Sequence, residues 1–118
     1  MADHIMGWLH DLGMVKEIED FEHEFANGYK FGQILYQLDV INTIEHFKNK
    51  NNKEWKTKNF AEVERGLRLL KIKFESKLIN QIMDEERGAA LRLLFQIKLK
   101  QEEFMNPNMT MTGLNKGI

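Results

Sequence analysis

Apolar residues recur along this chain at the three- and four-residue spacing of helix faces, and no stretch keeps the two-residue alternation of a strand. Ile5, Trp8, Leu9 and Leu12 mark one buried face of a first helix over residues 3–12, with Gly13 as its C-terminal stop. A short acidic helix over residues 18–26 presents Phe21 and Phe25 four apart, and Asn27-Gly28 breaks it with residues that tolerate left-handed backbone angles. Phe31, Ile34, Leu35 and Leu38 then give the i, i+3, i+4, i+7 stripe of a core-facing helix ending near Asp39.

From residue 42 to 58 the pattern fades into polar, Asn- and Lys-rich sequence (Lys48-Asn49-Lys50-Asn51-Asn52-Lys53). It is expected to be a long surface loop with at most one helical turn and no part in the core. Asn59-Phe60-Ala61-Glu62 has the form of a capping box, so a fourth helix is expected to start there with Phe60, Val63, Leu67 and Leu70 inward. Ser76 is the expected cap of a fifth helix carrying Leu78, Ile79, Ile82 and Met83. Asp84, Glu85 and Glu86 suit the positive end of a sixth helix. That sixth helix, with Ala89, Ala90, Leu91, Leu93, Leu94, Phe95, Ile97 and Leu99 almost all round it, reads as buried in the middle of a bundle and ends before Asn106-Pro107. The fold class is therefore all-α, a compact bundle of about six helices over residues 1–104. Residues 105–118 form a polar tail or linker.

Composition narrows the class further. A chain of 118 residues without Cys fits one domain with an ordinary hydrophobic core, and it rules out disulfides and thiolate metal sites. Residues 1–6 lack the basic region and apolar run of a signal peptide, and no window approaches the roughly 18 apolar residues of a membrane span. A cytoplasmic protein without a membrane partner is expected, and the sequon Asn108-Met109-Thr110 reads as chance. The net charge of −1 hides a strong asymmetry: residues 1–44 sum to −6, residues 45–73 to +5 and residues 74–118 to 0. One surface could therefore meet an anionic partner while another repels it.

Few residues could carry chemistry. The four histidines are scattered, and His23-Glu24 opens a zincin-like motif whose fifth position is Asn27, so a surface histidine is expected and no metal. Gly28 and Gly32 lack the third Gly and the Lys-Ser/Thr of a phosphate loop, and Ser76, the only serine, has no nucleophile-elbow setting. Neither an enzyme nor a cofactor is expected. The acidic run Glu17, Glu19, Asp20, Glu22 and Glu24 does not have EF-hand spacing and reads as a solvated helix face.

Functional content concentrates in the basic middle. Lys48, Lys50, Lys53, Lys56 and Lys58 fall within eleven residues against the single Glu54, and Arg65, Arg68, Lys71 and Lys73 continue the charge along the next helix, the first three roughly on one side, opposite Val63, Leu67 and Leu70. The five lysines with Arg65, Arg68 and Lys71 either solvate the chain or form one contiguous partner-binding patch. Trp55, set among them, either anchors the loop to the core, the favoured reading, or belongs to the contact surface. A nucleic-acid partner is disfavoured by the negative net charge and the lack of a recognition motif.

Trp8-Leu9, the element from Phe25-Ala26-Asn27-Gly28-Tyr29 through Leu35, Asn59-Phe60 through Leu70, and the closing Leu91-Arg92-Leu93-Leu94-Phe95-Gln96-Ile97 together resemble a calponin-homology (CH) domain over residues 3–103. The chain is most similar to the divergent type found at the N-terminus of ciliary and flagellar proteins, in which a Thr-Gly-Leu-like tail recurs, as at Thr112-Gly113-Leu114. The resemblance implies a non-enzymatic docking module in the cytoskeleton of the cilium or flagellum. Its implied partner is tubulin, met through the basic surface, or another axonemal protein met without touching tubulin. Asn27 stands where the family more usually has Asp, and only one such domain is present. Because F-actin binding in the family typically uses a tandem pair, actin is not expected.

Overall fold

A computed structural model describes residues 2–14 and 18–105. Six helices follow one another among the described residues: α1 (Ala2–Asp11), α2 (Phe21–Phe25), α3 (Tyr29–Gln37), α4 (Lys53–Leu69), α5 (Ser76–Met83) and α6 (Ala89–Met105). None is long and apolar enough to cross a membrane. The all-α expectation holds. The tail over residues 106–118, with its Thr112-Gly113-Leu114, lies outside the described residues, as does Glu17 of the acidic run.

The helices begin and end where local chemistry allows. Asp20 caps α2 by accepting a hydrogen bond from the His23 amide at 3.1 Å. Gly28 enters α3 with a φ of 85°, and a Cβ on it would lie 3.0 Å from the Asn59 Cβ, so the turn and the approach to α4 both require a glycine. Helices α3, α4 and α5 all end in the same way. Asp39, Lys71 and Glu85 adopt left-handed angles just past the last turn. At each end two amides fold back onto orphan carbonyls, as in Lys71 N to Arg68 O (2.9 Å) and Ile72 N to Leu67 O (2.9 Å).

The core is built on a file of aromatic rings. Phe21 stacks on Phe25 at 5.8 Å, Phe25 meets Phe31 at 4.8 Å, and Phe31 meets Phe60 at 6.0 Å, which ties α2, α3 and α4 together. Each such pair contributes about 1 kcal/mol beyond the burial of its area. Around them Ile5 and Leu9 of α1, Val63 and Leu67 of α4, Ile79 and Ile82 of α5, and Leu93, Leu94 and Ile97 of α6 are buried. Helix α6 packs against α1, α2 and α5, which gives it the central position expected of it. It is not buried on every side as expected, however: Phe95 and Leu99 are 39% and 45% exposed.

Three expectations about the middle of the chain are corrected. Helix α4 begins at Lys53, so the loop is shorter than expected and Lys53, Lys56 and Lys58 stand on a helix. The loop does serve the core: Phe47 is buried against Gly32, whose absent side chain makes room for the ring. Asn59 is no cap, because Asn52 caps α4 instead, accepting from the Trp55 amide at 2.8 Å. At α5 the N-cap is Glu75, without a side-chain bond, and Ser76 is already the first helical residue.

Candidate docking surface

Asn59 lies one turn and a half inside α4 and is fully buried. Its Oδ1 accepts from the Lys48 amide (3.1 Å), while its Nδ2 donates to the Lys48 carbonyl (2.7 Å) and the Asn27 carbonyl (2.8 Å). Asn27, also buried, accepts from the Tyr29 amide (2.9 Å) through Oδ1. That bond turns its Nδ2 toward the loop, where it donates to Oδ1 of Asn49 (2.9 Å) and of Asn51 (3.0 Å). The Asn-rich stretch is thus a polar clasp. It fixes the backbone of Lys48 to α4 and the side chains of Asn49 and Asn51 to the turn between α2 and α3, through bonds that no solvated loop would make.

The clasp positions the first cations. Lys48 is held by its backbone with its ammonium 5.4 Å from the Trp55 ring centroid, and Lys58, one turn along α4, lies 4.8 Å from the same ring. Two like charges converge because the electron-rich ring face attracts both, each contact contributing about 0.5–1 kcal/mol at such a partly exposed site. Trp55 itself is half-exposed and stands outside the core cluster. The favoured reading of it as a core anchor is therefore corrected: the loop is anchored by Asn59 and Phe47, and Trp55 organises the surface lysines.

The eight expected cations do not form one patch. Lys48, Lys50, Lys53 and Lys58 are all exposed at the N-terminal end of α4, but only Lys48 and Lys58 meet at Trp55, and Lys53 lies on the side of Lys56, Met83 and Asp84. Lys56 turns the other way, its Nζ donating to the Met83 carbonyl at 3.2 Å, so it ties α4 to α5 and is withdrawn from the surface. Arg65 and Arg68 are exposed on the outer side of α4 but paired with Glu62 (2.8 Å) and Glu64 (3.5 Å), as Lys58 is with Glu54 (3.1 Å). Exposed pairs of this kind contribute roughly 0–1 kcal/mol, so an acidic partner can compete for these cations at little cost. Lys71 lies past the far end of α4, about 25 Å from Lys53 at 1.5 Å per residue, and belongs to a different region.

The acidic run is also corrected. Glu19 and Asp20 are exposed, but Glu22 accepts from the Gly88 amide at 2.8 Å just before α6, and Glu24 pairs with Lys30 at 3.6 Å. These acids join elements rather than only solvating a face. His23 is exposed, 3.3 Å from Glu85, and among the described residues no three His, Cys, Asp or Glu side chains gather as they would around a metal ion.

The asparagines are what sequence reasoning missed. A signal existed: Trp55, Asn59 and Val63 keep a four-residue spacing that carries the helix back past residue 59, and Asn52 stands three residues before Trp55 as a cap would.

A family profile described as a CH-like domain in sperm protein matches residues 5–99. Over 113 residues, 93% of its length, the chain is 25% identical to sperm flagellar protein 2 of Mus musculus and of Sus scrofa, and 24% identical to that of Homo sapiens. It spans 6–7% of the length of those relatives. No solved structure matches the chain. The resemblance carried by Trp8-Leu9, the Asn27-Gly28 element and the closing Leu-rich helix is borne out by these matches.

Proposed function

Because the chain belongs to the CH-like domain family of sperm proteins, we propose that it is a non-enzymatic docking module of the flagellar cytoskeleton. In this reading it binds the acidic outer surface of microtubules through Lys48, Lys50, Lys53 and Lys58, with Arg65 and Arg68 as a secondary row. The observation that carries the reading is the clasp. Asn59 and Asn27 hold the loop that bears Lys48 and Lys50 beside α4, whose first turns bear Lys53 and Lys58, so the backbone under all four cations is ordered before binding. Electrostatic complementarity of this kind raises both on-rate and affinity, and added salt weakens it.

The test is co-sedimentation with microtubules, run beside F-actin. Lys48→Glu, Lys50→Glu, Lys53→Glu and Lys58→Glu introduced together are expected to abolish pelleting with microtubules while the helical circular dichroism stays unchanged. Lys56 is left alone because it bonds to α5. No pelleting with F-actin is expected of a single domain. Equal pelleting of the charge-reversed protein would remove the reading.

A second reading rests on the pairing of Lys58, Arg65 and Arg68 with Glu54, Glu62 and Glu64. Here the domain contacts other axonemal proteins without touching tubulin, and its lysines only solvate it. Pelleting would then be absent in the unmodified protein as well.

A further inference from the structure

Beyond the α4 lysines, the chain carries a second cationic surface of different make-up. Two adjoining clefts lie between the α4–α5 connection and α6, and both are lined by Lys73 and Gln96. One continues to Ile72 and Leu99, the other to Phe74 and Leu78. Leu99 and Phe95, one helical turn apart on α6, leave an apolar ridge open to solvent beside them.

The charge around these clefts is less compensated than on α4. Lys71, Lys73 and Lys77 have no acidic partner among the described residues, and Arg92 bonds only the neutral Gln81, at 2.9 Å. Lys100 is paired with Glu103 at 3.6 Å, and Glu75 is the other acid in the lining. Gln96 is half-buried between the two clefts and contributes a neutral polar side chain to both.

We propose that this groove is a second docking site, which takes an acidic segment of a partner protein with apolar side chains one helical turn apart. The apolar ridge receives those side chains, while Lys71, Lys73, Lys77 and Arg92 meet the carboxylates around them. A purely acidic, strongly hydrated chain would leave Phe95 and Leu99 uncovered, and an uncharged apolar one would leave the cations unmatched. The site is separate from the α4 lysines, so one domain can hold a filament and a second protein together.

The test uses a fluorescein-labelled synthetic helix with Leu at i and i+4 on a Glu background. Its controls are a peptide of the same composition with the leucines dispersed, and oligoglutamate. Anisotropy titration is expected to show saturable binding of the first peptide alone. Leu99→Gln and Lys73→Glu, both at exposed positions, are each expected to weaken it about tenfold. Backbone amide shifts in the unmodified domain are expected to move at Ile72, Lys73, Gln96 and Leu99 and to stay still at Lys48 and Lys58.

Failure of the first peptide to bind, equal binding of either control, or indifference to both substitutions would overturn the assignment. So would self-association of the domain through Leu99, seen as a dimer that Leu99→Gln dissolves. Microtubule pelleting is expected to be unaffected by Leu99→Gln, and its loss would show that the two surfaces are one.

Discussion

At the scale of single residues, Asn59 does what no other side chain could do at that position. It needs one acceptor for the Lys48 amide and two donors for the Lys48 and Asn27 carbonyls, and only a carboxamide supplies both. Asn59→Ala is expected to cost about 3 kcal/mol, because three backbone groups lose their partner at once, and urea unfolding would measure it. Asn59→Asp should cost at least as much, since a buried carboxylate would face two carbonyl oxygens. Asn27→Asp should cost less, because Asn49 and Asn51 can turn their amides and donate to the carboxylate. Lys71 offers the opposite case. Its φ of 62° strains an L-residue, so Lys71→Gly is expected to stabilise by about 0.5–1 kcal/mol, a rise of a few degrees in thermal midpoint. No rise would mean that the left-handed turn is held by contacts other than its backbone bonds.

Elements show where sequence reasoning reached and where it stopped. Helices α1, α3 and α6 were legible because their apolar residues repeat at helical spacing and glycines punctuate the first two: Ile5, Trp8 and Leu9 before Gly13, and Phe31, Ile34 and Leu35 after Gly28. The first turns of α4 were not. Lys53, Lys56 and Lys58 hide the period there, and Asn59 occupies a core-facing position with a polar side chain, so a buried asparagine looked like a cap. Phe47 was missed for a related reason. A single aromatic in a polar stretch has no period, and its burial depends on the space that Gly32 leaves on another element. That dependence is testable. A Cβ at residue 32 would sit 2.6 Å from the Phe47 ring, too close for a rigid group to accommodate. Gly32→Ala is therefore expected to expel the ring and destabilise by about 2 kcal/mol, despite alanine's better helix propensity. Stability at or above that of the unmodified protein would show that the loop packs independently of α3.

For the molecule as a whole, the uneven charge was readable but its arrangement was not. The sum of +5 over residues 45–73 suggested one basic surface. Folding divides it: Lys48 and Lys58 meet at Trp55, Lys53 stands with Lys56 beside the end of α5, to which Lys56 bonds, the two arginines pair along α4, and Lys71 joins the separate groove beside α6. No periodicity argument could have made that division, because it depends on which cations find a carboxylate or carbonyl from a distant part of the chain. The central claim is that the clasped lysines meet an acidic filament by charge. Its most direct measurement is microtubule pelleting of the unmodified domain across a salt titration. Affinity is expected to fall by about an order of magnitude or more between low salt and about 0.15 M ionic strength, as screening takes hold over the distances between surface charges. Pelleting whose affinity does not change across that range would contradict the account.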